Sequence, residues 1–269
     1  MKSAQAGHRW KDALPSLISG LVIAAAGVFF GVRTAGGALA DNPANGATLT
    51  FALCLIAALM GCVLVCLGLG RLRHPAQHVQ VHTLALAALF AALCYIGFTF
   101  FKIDIPVGSE KTAFHLGNVF CVLAALLLGG FWGGMAGAVG MTIADLTTAY
   151  VTSAPKTFLL KLGIGLIVGF VARRCFHLDR QTNPRKMAVA TVVSSAAGMG
   201  FNVIADPLVG YFYKRYILGV PQEAAEIWAK IGAVTTLVNA VIAVAAASVF
   251  YLALRPALSK AGLMHNRIS

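Results

Sequence analysis

Charge is scarce in this chain. Asp, Glu, Lys and Arg make up 11% of its 269 residues, against 59% hydrophobic ones, which leaves too little polar surface to coat a soluble globule. Acidic residues are the scarcer kind, 9 against 21 basic ones, for a formal net charge of +12. Such a charge suits nucleic acid only when the basic groups gather on one folded surface. Here they punctuate the gaps between apolar runs, the pattern of membrane topology, and nucleic acid is set aside as a partner. No CxxC pair occurs. Cys54, Cys62, Cys66, Cys94, Cys121 and Cys175 lie mostly within apolar runs and read as small apolar residues. Also missing are G-x-x-x-x-G-K-[ST], H-E-x-x-H, G-x-S-x-G and an aspartate-rich pair of the kind that holds magnesium-diphosphate. Their absence excludes ATP hydrolysis by the P-loop route. His115 has no His, Glu or Cys at ligand spacing, so neither a metal nor a cofactor is expected.

What the chain has is apolar length. Its mean hydropathy is +0.81, and runs of about 20 residues recur, the number that crosses a hydrocarbon core of about 30 Å. The alternating short segments of a barrel are absent, so the expected fold is all-α and polytopic. Eight spans are expected, at about 14–32, 47–69, 83–101, 115–130, 133–150, 157–173, 187–206 and 230–254. The basic amino end before SLISGLVIAAAGVFFGV has no tight A-x-A-like cleavage site, and the first span reads as a retained anchor. The linker RLRHPAQHVQVH separates the first two spans from the other six. The glycine doublets in LGGFWGGMAG place a tight hairpin turn around Phe131 and Trp132. This divides the chain into 1–75, two additional helices; 76–258, a six-helix membrane domain; and 259–269, a basic tail.

With the amino end inside, thirteen Lys and Arg fall on the inner side and seven on the outer, with Lys161 inside a span. Both termini are therefore expected in the cytoplasm of a multi-pass cell-membrane protein. On this topology polar residues collect towards the outer side: His115 and Asn118 open the fourth span, while Asp145 and Tyr150 close the fifth. Lys156 and Lys161 begin the sixth, Asn202 and Asp206 finish the seventh, and Trp228 and Asn239 lie in the outer half of the eighth. Each charge in a membrane needs a partner or a watery cavity. One reading is structural: ion pairs among Asp145, Lys161 and Asp206, with Tyr150 and Trp228 in an interfacial aromatic belt. The other, favoured because so many donors and acceptors share one depth, is a ligand pocket roofed by KIDIPVGSEKTAF. Lys102, Pro106, Gly108 and Thr112 belong to that roof.

Small residues recur at helical spacing: Ala88 and Ala92 in the third span; Gly133, Gly137, Gly140 and Ala144 in the fifth; Gly165 and Gly169 in the sixth. Stripes of this kind serve either internal packing or docking of another membrane subunit.

The blocks ALAALFAALCYIGFTFFKIDIP, TAFHLGNVFCVLAALLLGGFWGGMAGAVGMTIADLTTAY and SAPKTFLLKLGIGLIVGFVA, in this order, resemble the substrate-binding S components of energy-coupling factor (ECF) transporters. The resemblance covers Thr83 to Leu254 and implies a six-helix bundle that captures a vitamin-like small molecule from outside, without covalent chemistry. The ligand would lie beneath the loop joining the first two family helices. Partners would be a transmembrane coupling subunit and two cytoplasmic ATPase subunits, with Ala88 and Ala92 matching the family's docking motif. A pyrimidine, a pyridoxine-like compound and a flavin-like compound are all open as ligands. The first two spans lie outside the family pattern. A self-sufficient proton-coupled transporter using Asp145 or Asp206 should show internal repeats, and none is evident. An intramembrane lipid-modifying enzyme based on His115 and Glu110 lacks a nucleophile or metal constellation.

Overall fold

The computed structural model describes residues 81–107 and 110–261, with short helical pieces at 14–15, 18–23, 25–27, 54 and 57. By its contacts the backbone forms two units, Met1–Val79 and Gln80–Ser269. Most of the second expected span, Gly108 and most of the basic tail lie outside the described residues.

The described residues of the second unit form six α-helices and one hairpin: α1 (Val81–Thr99), β1 (Lys102–Val107), β2 (Glu110–His115), α2 (Gly117–Leu128), α3 (Gly130–Leu146), α4 (Ala154–Phe170), α5 (Pro184–Phe212) and α6 (Gln222–Lys260). The six spans expected after the linker are all present as helices, and the last two extend past their expected ends because their polar flanks stay helical. Among the described residues, four segments are long and apolar enough to cross a membrane: Val81–Thr99, Val151–Cys175, Pro184–Ile217 and Gln222–Lys260. The chain is a polytopic helical membrane protein. Its lipid-side character shows in exposed side chains such as Ile204, Val241 and Val249, while Thr191, Ser194 and Ser195 are fully buried. Those three hydroxyls donate to the carbonyls of Met187, Ala190 and Thr191, each four residues earlier. Local bonding removes the cost of keeping them out of water.

At 12 residues, α2 is the shortest of the six. At 1.5 Å per residue it spans about 18 Å, well short of about 30 Å of hydrocarbon. It survives because neighbours surround it: Val119, Cys121, Val122, Leu123, Ala124, Ala125 and Leu126 are all buried, within one apolar core. The hairpin continues the chain from α1 over the end where α2 starts.

Three local expectations are corrected. The roof segment is a paired antiparallel hairpin, from Lys102 opposite His115 to Val107 opposite Glu110, where an irregular loop was expected. Alternation of Ile103 and Ile105 with polar neighbours is a strand pattern, shorter than the windows that reveal spans. His115 consequently ends β2, and the helix begins two residues later. The α2–α3 turn lies at Gly129 alone, with φ of 93°, while Phe131 and Trp132 are already helical. The glycines after it serve close approach: a Cβ on Gly133 would meet the backbone of Ala124 and Ala125, one on Gly137 the Cys121 side chain, and one on Gly140 the Ala91 carbonyl. With Ala144 fully buried, this stripe is spent on packing inside the bundle, as are Gly165 and Gly169 against α3. Ala88 and Ala92, in contrast, are exposed on α1.

Candidate functional site

A cavity opens between the hairpin and the helix ends beneath it, about 820 Å³ counting its open mouth. Its wall includes all ten expected ligand residues: His115, Asn118, Asp145, Tyr150, Lys156, Lys161, Asn202, Asp206, Trp228 and Asn239. Of the expected roof, Thr112 lines it, Lys102 and Pro106 lie in β1, and Gly108 is outside the described residues. Side chains spread over 125 positions of sequence meet here, drawn from five helices, β2 and the turn after α3.

The polar groups play different parts. Lys156 Nζ pairs with Asp206 Oδ1 at 2.8 Å, and Thr236 Oγ1 donates to Asp206 Oδ2 at 2.8 Å. The structural ion pair is thus Lys156 with Asp206; no carboxylate lies within 4.0 Å of the Lys161 ammonium among the described residues. Lys161 is 7% exposed and faces the cavity. Asp145 Oδ2 is buried without a partner, as are Asn118 Oδ1 and Asn202 Oδ1. All three residues are at most 2% exposed. A buried polar atom left unbonded costs about 1–3 kcal/mol. Three such atoms around one cavity, beside an ammonium, form a surface that a polar guest would complete.

Aromatic groups form the side under the hairpin. Phe98 meets His115 at a ring-centroid distance of 4.7 Å and Tyr150 edge-on at 5.4 Å. Lys102 lies over the Tyr150 ring at 4.9 Å and pairs with Asp104 at 3.3 Å, while Tyr150 Oη donates to Asp104 Oδ1 at 2.8 Å. Burial, joined by that bond and the Asp104 charge, holds the Tyr150 hydroxyl above its usual range, so it stays a donor. Burial, reinforced by Lys161, pushes the His115 imidazole down to about 3, so it is neutral at physiological pH. Trp228 has one face covered by Lys214 at 4.2 Å, and Asn239 spends its amide on the hairpin backbone.

Thr157, Thr236, Phe98 and Lys214 line the cavity without having been singled out in the sequence. Thr236 carried a usable signal, since it stands three residues before Asn239 and therefore on the same helix face. Phe98 carried none, being one of several phenylalanines in a continuous apolar run.

A membrane bundle with a roofed polar cavity and unpartnered polar atoms in its wall is a membrane-embedded binding protein in class. The family model for the ECF-type riboflavin transporter S component matches residues 78–256, about two-thirds of the chain, and the chain belongs to that family. It is therefore a substrate-binding component of a transporter, a subunit type distinct from an enzyme. Searches of curated proteins and of solved structures give no match.

Proposed function

We propose that the chain captures a flavin-like vitamin from the outer side of the cell membrane and passes it to a transmembrane coupling subunit driven by two cytoplasmic ATPase subunits. The observation that carries this reading is the roofed cavity with Asn118, Asn202 and Asp145 each holding a buried, unpartnered oxygen. A flavin carries an imide N–H and a polyhydroxyl chain to meet acceptors, ring carbonyls for Lys161, and an apolar face for Phe98. Family membership favours flavin over the pyrimidine and pyridoxine-like alternatives. Exposure of Ala88 and Ala92, between the exposed Leu84, Leu89 and Ile96, supports α1 as the docking face for the coupling subunit. The excess of basic residues on the opposite side supports an outward-facing cavity and cytoplasmic termini.

The test is riboflavin titration of the detergent-purified chain by flavin fluorescence quenching, with native mass spectrometry alongside. The expected result is saturable binding of one riboflavin per chain, weakened at least about tenfold by Asn118→Ala, the loss of one buried hydrogen bond. Absence of riboflavin binding, with a pyrimidine or pyridoxine-like mass bound instead, would keep the capture role and replace the ligand.

A further inference from the structure

We propose that Asn239 is a positioning residue that latches the hairpin shut over the cavity, and that it does so by standing in for a third β-strand. The proposal rests on the capture reading above only for its consequence on ligand exchange.

A two-stranded hairpin leaves one edge of each strand with unpaired N–H and C=O groups, which within a membrane protein must find partners. Along such an edge, the carbonyl of one residue and the N–H of the residue two further on point the same way. On β2 these are Ala113 O and His115 N. Asn239 Nδ2 donates to Ala113 O at 3.0 Å, and His115 N donates to Asn239 Oδ1 at 3.0 Å. A carboxamide holds a donor and an acceptor side by side, as an adjoining strand's backbone would, and among side chains of this length only asparagine does so. Having both a donor and an acceptor to satisfy also fixes which way the amide points. Asn239 is 4% exposed, and its partners lie 124 and 126 positions away, so the bonds tie the roof to α6 and not to its own hairpin. The β1 side has its own tie, from Tyr150 Oη to Asp104. Lifting the hairpin to widen the mouth would break these contacts.

Asn239 also stands one helical turn from Thr236, whose hydroxyl holds Asp206, the partner of Lys156 in the cavity wall. The latch and the charged wall are therefore carried on one face of α6.

Hydrogen exchange read by mass spectrometry on the full chain in detergent, without ligand, tests the latch directly. Asn239→Leu keeps the volume and the helix but removes both bonds. The expected result is exchange about tenfold to a hundredfold faster in peptides covering β2, with peptides covering α2 and α6 unchanged. Tyr150→Phe should speed β1 in the same way. Unchanged β2 exchange in Asn239→Leu would overturn the proposal; so would a speed-up spread through α2 and α6, the mark of a general packing role. In stopped-flow with riboflavin as the probe, Asn239→Leu should raise the dissociation rate without slowing association. Unaltered riboflavin rates beside accelerated β2 exchange would overturn the gating consequence. A wild-type chain that binds no riboflavin would speak against the flavin reading alone, because the exchange experiment contains no ligand.

Discussion

At the residue scale, the cavity wall keeps polar atoms that do nothing for folding. Asn202 is 1% exposed with its Oδ1 unpartnered. Replacing an unsatisfied buried group by an apolar one of similar shape is neutral or stabilising. Asn202→Leu is therefore expected to leave the thermal midpoint of the ligand-free chain unchanged or raised, while lowering riboflavin affinity at least about tenfold; a thermal-shift assay with and without riboflavin measures both. His115 behaves differently. Its folded-state pKa lies at about 3, below the ordinary 6.5, because burial disfavours the charged ring. The unfolded chain therefore takes up the proton first as pH falls. The neutral ring's contribution is complete above pH 6.5 and is lost progressively from there towards pH 3. Unfolding midpoints across this window should fall less steeply with pH in His115→Gln than in the parent chain.

At the scale of elements, two kinds of small residue have opposite tolerance. Gly165 packs so closely on α3 that a Cβ there would collide with Gly134, and the backbone on neither side can yield cheaply. Gly165→Leu should reduce recovery of folded chain from membranes, with overpacking costs of about 1–3 kcal/mol or more. Ala88 is exposed, so Ala88→Leu should leave folding and riboflavin binding intact while weakening co-purification with the coupling subunit. Equal loss of folded chain from both variants would place Ala88 in internal packing. At Gly129, φ of 93° is compounded by Arg173, whose guanidinium fills the space a Cβ would take and whose Nη2 donates to Leu127 O at 3.2 Å. The one-residue turn between α2 and α3 thus depends on an arginine three residues past the end of α4.

At the scale of the whole molecule, the family match begins at residue 78 and every residue of the cavity wall lies after it. A chain starting at residue 76 is expected to bind riboflavin with an affinity within about threefold of the full chain, since sites without shared partners act nearly independently. A markedly weaker truncated chain, folded by circular dichroism, would assign the amino-terminal segment a part in the site.

The six helices after the linker, their order and most of the polar residues lining the cavity were legible in the sequence. Apolar length against bilayer thickness, and the cost of charge in lipid, act on each segment separately and need no tertiary contact to be read. What each residue does at the site depended on the fold. Spacing offered Asp145, Lys161 and Asp206 as ion-pair partners, and only packing chose Lys156 for Asp206 and left Lys161 facing the cavity. The glycine stripe of α3 had the same spacing whether it met a partner subunit or Ala91 and Cys121, because spacing defines a helix face but not its neighbour. Asn239 resembled any other amide in a membrane helix until β2 came to lie beside it. A hydrogen bond is decided by positions to within a few tenths of an ångström, and residues 124 positions apart acquire such positions only when the bundle closes.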